Sequence, residues 1–205
     1  VLVRDGEVVG EGWHQRRGEA HAEVHALHAA GARARGATAY VTLEPCSHHG
    51  KTPPCCEALI GAGVTRVVAA MRDPFPEVDG RGFERLRRAG IAVDIGLLAN
   101  DAEALNEGFL LRVRRGRPLI RLKLAMSLDG RTALADGRSM WITGPEARTD
   151  VQHWRARACV ILTGIDTVLH DDPRLAPRID TDHTPPEKWV LDSRGRLPAD
   201  AAVWT

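Results

Sequence analysis

The stretch Thr42-Leu43-Glu44-Pro45-Cys46-Ser47-His48-His49-Gly50-Lys51-Thr52-Pro53-Pro54-Cys55 decides how the first half of the chain is read. The run before and into it, Ala39-Tyr40-Val41-Thr42-Leu43, has the composition of a buried strand, and Pro53-Pro54 suits the opening of a helix. Cys46 therefore ends a strand and Cys55 begins a helix. Upstream, His21-Ala22-Glu23 opens a run from Ala20 to Ala34 with no proline, whose Val24, Leu27, Ala30 and Ala34 share one helical face. Gly36 is its expected stop. One histidine and two thiolates make three soft or borderline ligands, which leaves the fourth tetrahedral position of Zn²⁺ open to water. By ligand count His21, Cys46 and Cys55 form a catalytic rather than a closed structural site. Glu23 projects about 200° round an ideal helix from His21, yet in the first turn the backbone still brings it near the metal, where it serves as proton shuttle.

Cys56, His48 and His49 are the rivals for a fourth protein ligand. Cys56 lies about 100° round the helix from Cys55, so it is expected to pack inward if Cys55 faces the metal. Cys159, at a strand start, reads as a core residue. His25 and His28 follow the site on its helix and receive no role.

Working outward, Val1-Leu2-Val3-Arg4, Asp5-Gly6 and Glu7 to Trp13 read as strand, tight turn, strand. Strands at Val64 to Met71 and Ile91 to Gly96 alternate with helices, so the fold class is α/β with a largely parallel sheet. A helix over Asp101 to Val113 precedes the short basic segment Arg114-Arg115-Gly116-Arg117-Pro118, and the domain boundary is placed there, giving domains 1–116 and 117–205. The second domain repeats the pattern, with strands at Leu119 to Ala125, Val160 to Leu162 and Trp189 to Leu191 and a helix over Glu146 to Ala156.

Bulk properties narrow the partners. The 28 Lys and Arg residues against 27 Asp and Glu give a net charge of +1, too little to hold a polyanion, and 4% aromatic content offers no base-stacking surface. No nucleic-acid partner is expected. There is no apolar run long enough for a bilayer and no signal-peptide layout, so no membrane partner and a cytoplasmic location are expected. Three of the four cysteines crowd into eleven residues beside histidines, which favours metal over disulfides.

The runs His21-Ala22-Glu23-Val24 and Thr42 to Cys55 resemble the deaminase half of the bifunctional riboflavin biosynthesis deaminase-reductase family. The nine-residue separation of Cys46 and Cys55 distinguishes them from cytidine and tRNA adenosine deaminases. The resemblance implies a cytidine-deaminase-like three-layer domain that hydrolytically removes the 2-amino group of a diaminopyrimidinone carrying a ribosylamino 5'-phosphate. It also implies substrate contacts from His14, His48, Lys51 and Thr52, the last three supplying a cation and donors suited to a phosphate. Leu122 to Arg131, Ser139 to Thr143 and Thr163 to Pro173 are similar to the family's reductase half, which has a dihydrofolate-reductase-like fold and uses NADPH to reduce ribosyl to ribityl.

On that resemblance Ala125, Trp141, Thr167, Asp171 and Ser193 match NADP-contacting positions. Ser139, Arg155, Leu175 and Arg178 match positions that contact the phosphorylated substrate, and Lys123 is a candidate for polarising the sugar carbonyl or imine. Read from the residues alone, these runs name no chemistry, Gly-x-Gly-x-x-Gly is absent, and Trp141 is a partly buried packing residue. Family segments before the first strand and after the last are not found, so the reductase domain is expected to be truncated. A homo-oligomer is expected. Three alternatives are disfavoured: a nucleic-acid editing deaminase by charge and cysteine spacing, a non-catalytic zinc module by Glu23, and a single-function deaminase by the Lys123 to Asp172 runs.

Overall fold

The computed structural model describes residues 1–180 and 184–205, and these divide into two units, Val1–Arg121 and Leu122–Thr205. The first unit opens with an antiparallel hairpin of β1 (Leu2–Arg4) and β2 (Glu7–Gly10). Its turn residues Asp5 and Gly6 take φ of 52° and 82°, the left-handed pair that lets a two-residue turn follow the twist of its strands.

The chain continues through α1 (Ala22–Ala30), β3 (Thr38–Val41), α2 (Cys55–Gly61), β4 (Arg66–Ala69), α3 (Arg81–Arg88) and β5 (Ala92–Ile95). The sheet order is β2-β1-β3-β4-β5. β3, β4 and β5 pair in parallel, whereas β1 is antiparallel to both its neighbours. The expected parallel sheet thus describes the crossover half, and the hairpin makes the other half antiparallel. Leu2, Ala26, Ala39, Cys56, Leu59, Val67 and Leu86 fill the main core. On α3, Phe83 and Leu86 are buried while Arg85, Arg87 and Arg88 crowd the last turn, an amphipathic arrangement with cations at the negative end of the helix.

Two expected helices are interrupted. α1 stops at Gly31 rather than near Gly36: Gly31 takes φ 54° and its N–H bonds Leu27 O, so the ladder closes there and Gly31–Ala34 form a 3₁₀ turn. The helix expected over Asp101 to Val113 is two, α4 (Ala99–Leu105) and α5 (Glu107–Arg115). They are broken at Asn106, whose side-chain amide donates to Ala102 O at 2.9 Å and competes for a helical carbonyl. Ala102 and Leu110 of this pair pack with Ala70 and Met71 just past β4.

The second unit contains α6 (Pro145–Ala156), β6 (Val160–Gly164), α7 (Ile165–Asp171) and β7 (Glu187–Leu191). β6 and β7 pair in parallel over a small core of Ile165, Val168, Leu175, Ala201 and Val203. The strand expected at Leu119 to Ala125 does not form. Ile120 and Leu122 are each 80% exposed, and without a neighbouring ladder an extended run gains neither backbone bonds nor a covered face. Cys159 is exposed rather than core.

The contact that places the functional end of the first unit is between β2 and α1. A Cβ on Gly10 would lie 2.3 Å from Ala26 O, and one on Gly12 would lie 2.5 Å from Ala22 O. Only glycine lets the segment run this close under the helix that starts beside His21. Gly12→Ala is therefore expected to lower stability by about 1–3 kcal/mol through overpacking, measured as a lower urea midpoint at unchanged m-value.

Candidate functional site

His21 is the N-cap residue of α1, and Glu23 falls in that helix's first turn. Cys46 lies beyond the end of β3, and Cys55 is the first residue of α2. These elements bring one ligand atom from each of His21, Cys46 and Cys55 within 4.8 Å of one another. His21 Nδ1 is 3.2 Å from Cys55 Sγ and 3.6 Å from Cys46 Sγ. The Cys55 amide donates to Cys46 Sγ at 3.3 Å. An imidazole nitrogen and two sulfurs at this separation suit a borderline-soft cation such as Zn²⁺.

None of the rival ligands joins this set. The Cys56 thiol is fully buried and donates to Pro45 O at 3.2 Å, His49 is exposed, and His48 Nε2 faces Glu77 at 3.9 Å. Cys56 thus packs inward, and burial holds its thiol protonated, pushed up to about 12.

Of the two thiols at the centre, Cys46 ionises first. The hydrogen bond from the Cys55 side chain, with the Cys55 amide and His21 adding to it against the effect of burial, brings Cys46 down to about 5. The same contact and burial push Cys55 up. Burial also raises the Glu23 carboxyl above the usual carboxylate range, opposed by hydrogen bonds that include one with the Cys55 side chain. A carboxyl raised by burial beside a ligand set is the form a proton-transfer group takes.

A cleft of about 230 Å³ opens beside the donors. His14, His48, Lys51 and Thr52 line it together with His21 and Cys46, so the residues expected to contact pyrimidine and phosphate lie together in one cleft. The His14 ring stands edge-on to His21 at 5.4 Å, and its Nδ1 bonds Ala20 O at 3.1 Å. The sequence reading missed Arg17 and Glu19, which also line this cleft; both sit in the loop between His14 and His21, a span whose ends alone carried the motif. It also missed Glu44, buried to 4% exposure, because the amides that surround it come from residues 73 to 83. A larger groove of about 460 Å³ lies against α4 and α5, but its Glu103 and Arg114 pair with each other at 2.9 Å and it holds no nucleophile or ligand set.

In the second unit, Gly164 pairs with Leu191 at the carboxyl ends of β6 and β7. The start of α7, which carries Thr167, and the loop with Ser193 follow those ends directly, while Asp171 is the last residue of that helix. Ligands of open α/β sheets bind outside such strand ends. Arg155 is half-buried, and burial, then the charge of Arg178, holds its guanidinium below its ordinary value. Two neighbouring cations suit an anionic group. The Arg178 amide is fixed by Gln152 Oε1 at 3.2 Å.

Other expected positions are placed differently. The Leu175 side chain is buried in the core at φ 58°, so any ligand contact there falls to its backbone. Trp141 is 68% exposed rather than partly buried, with the Arg148 guanidinium 4.6 Å over its ring. Lys123, Ala125 and Ser139 lie in the segment before α6 that has no regular element, Lys123 exposed and the other two half-buried.

Comparison with known proteins gives two family matches. The cytidine and deoxycytidylate deaminase zinc-binding region matches residues 1–71, and the RibD C-terminal domain matches residues 118–205. The riboflavin biosynthesis protein RibD of Escherichia coli is 66% identical over 87% of this chain and 48% of its own length. That of Aquifex aeolicus is 46% identical over 99% of this chain and 57% of its own. The chain thus spans about half the length of the curated relatives it matches. Among solved structures, Acinetobacter baumannii RibD superposes with a TM-score of 0.92 at 53% identity, covering 99% of this chain and 58% of that one. A Thermotoga maritima diaminohydroxyphosphoribosylaminopyrimidine deaminase/5-amino-6-(5-phosphoribosylamino)uracil reductase gives 0.90 at 40% identity, covering 100% and 59%. With a deaminase zinc-binding region followed by a RibD C-terminal domain, the chain belongs to the RibD family of riboflavin biosynthesis proteins.

Proposed function

We propose that residues 1–116 form a zinc-dependent deaminase acting on 2,5-diamino-6-(5-phosphoribosylamino)pyrimidin-4-one, and that residues 117–205 are part of an NADPH-dependent reductase acting on the deaminated product. The observation that carries the first half is the convergence of His21, Cys46 and Cys55 within 4.8 Å beside the half-buried Glu23 and the cleft. His21, Cys46 and Cys55 would hold zinc. Bound there, the metal supplies a Lewis acid that makes water nucleophilic near neutral pH.

The protein's own groups do the rest. Glu23 takes one proton from the attacking water and gives it to the ring nitrogen; it then takes the second proton from the newly added hydroxyl and gives it to the departing amine, so that water and substrate become the uracil product and ammonia. Such a carboxyl suits both halves of that cycle, because burial raises its affinity for a proton above that of a free carboxylate. Lys51, Thr52 and His48 bind the 5'-phosphate and His14 contacts the pyrimidine, which fixes the carbon bearing the 2-amino group over the donors. In the second unit Ala125, Trp141, Thr167, Asp171 and Ser193 would hold NADPH, which supplies hydride. Ser139, Arg155, Leu175 through its backbone, and Arg178 bind the phosphorylated substrate, with Lys123 at the sugar.

The relatives named riboflavin biosynthesis protein support this assignment of substrate. No helix among the described residues is long and apolar enough to cross a membrane; we assign the protein to the cytoplasm as a homo-oligomer.

Glu23→Gln is expected to keep zinc at about one per chain while ammonia release from the diaminopyrimidinone falls by about 10²–10⁴-fold; unchanged release excludes Glu23 as shuttle. Cys55→Ser is expected to lose zinc on dialysis, whereas Cys56→Ser keeps it, as metal analysis of the two variants reads directly. Lys51→Ala is expected to raise KM for the phosphorylated substrate about tenfold, the loss of one charge-assisted contact, with kcat little changed.

A further inference from the structure

The carboxylate of Glu44 is the most heavily hydrogen-bonded side chain near the site, and none of the chemistry above uses it. It lies two residues before Cys46 and is 4% exposed. Its Oε1 accepts from the amides of Gly82 at 2.9 Å and Phe83 at 3.3 Å. Its Oε2 accepts from Gly80 at 2.9 Å and Asp73 at 3.2 Å. Four amide donors on one buried carboxylate fix both ends of the segment from Asp73 to Phe83 against the strand end that delivers Cys46. The segment sits tightly: a Cβ on Gly82 would lie 2.1 Å from Pro45 O.

What that segment carries reaches the cleft. The Phe75 amide donates to Asp73 Oδ1 at 2.8 Å, so Phe75 is set by the residue Glu44 anchors. The Phe75 ring lies 6.4 Å from the His48 ring, and Glu77 Oε2 lies 3.9 Å from His48 Nε2. His48 lines the cleft.

We propose that Glu44 is a positioning residue: it anchors the Asp73 to Phe83 segment, and that segment, through Phe75 and Glu77, holds His48 in the orientation that receives the substrate's phosphate. The inference rests on the deaminase reading for its substrate, but not for its geometry. Its physical content is that both carboxylate oxygens are needed. A glutamine satisfies one pair of amides and turns an NH₂ towards the other pair, whichever way it flips, and leaves two buried donors unmet. An aspartate keeps both acceptors on a shorter arm.

The test uses the intact, zinc-loaded protein with three variants: Glu77→Gln on the exposed side of the relay, Glu44→Asp and Glu44→Gln. Two quantities are read, the KM and kcat for the phosphorylated diaminopyrimidinone, and the ring resonances of His48 in NMR spectra, assigned with a His48→Gln control. Glu77→Gln is expected to raise KM about tenfold with kcat nearly unchanged, short of the roughly hundredfold loss that misplacing a reacting group brings. Glu44→Gln is expected to act in the same direction and more strongly, with partial recovery in Glu44→Asp, and the His48 resonances move in all three. Unmoved His48 resonances in Glu77→Gln and Glu44→Asp overturn the proposal even where Glu44→Gln fails to fold. If the parent protein releases no ammonia, the substrate assignment fails, and the resonances alone decide whether the relay exists.

Discussion

Three donor atoms carried by three separate elements have to meet within 4.8 Å, and much of the first unit is arranged by that constraint. His21 comes from the start of α1, Cys46 from beyond β3 and Cys55 from the start of α2. Parallel pairing of β3 with β4 requires a crossover, and α2 is that crossover, so the loop from Cys46 to Cys55 is forced to lie at the carboxyl edge of the sheet. α1 must then be lowered until its first turn reaches the same edge. Gly10 and Gly12 allow this by removing side chains where Ala26 O and Ala22 O approach. The hydrogen bond between the two cysteine side chains favours the Cys46 thiolate and disfavours that of Cys55, so Cys46 is the readier thiolate.

The parts of this arrangement that were legible in the sequence are those written locally. Asp5-Gly6 forced a tight turn, Pro54 before Cys55 marked a helix start, and the three candidate ligands His21, Cys46 and Cys55, with Glu23 beside them, pointed to a site with an open position. The parts that were not legible depend on neighbours distant in sequence. Leu119 to Ala125 alternates like a strand, but pairing is a property of two segments, and none of the described strands pairs with it. Asn106 breaks a helix because its amide finds Ala102 O, a local competition that helix propensity summed over the run does not reveal. Glu44 reads as one more charge until four amides from residues 73 to 83 are seen to converge on it.

The second unit shows the same division. Its parallel β6 and β7 with α7 between them form a crossover whose carboxyl edge gathers Thr167 and Ser193, in keeping with the family match over residues 118–205. Arg178 comes close enough for its charge to act on Arg155, after the larger effect of burial. Leu175 shows the limit of carrying positions over from a family: a residue can match a ligand-contacting position while its side chain serves the core.

The central claim, a metal held by one histidine and two cysteines with a position left for water, is tested most directly by zinc-edge X-ray absorption on the intact protein. The expected spectrum fits two sulfurs at about 2.3 Å, one imidazole nitrogen at about 2.0–2.1 Å and one further light atom. A fit that demands three or four sulfurs, or a second imidazole, would mean that Cys56, His48 or His49 closes the site, and the catalytic account would then be wrong.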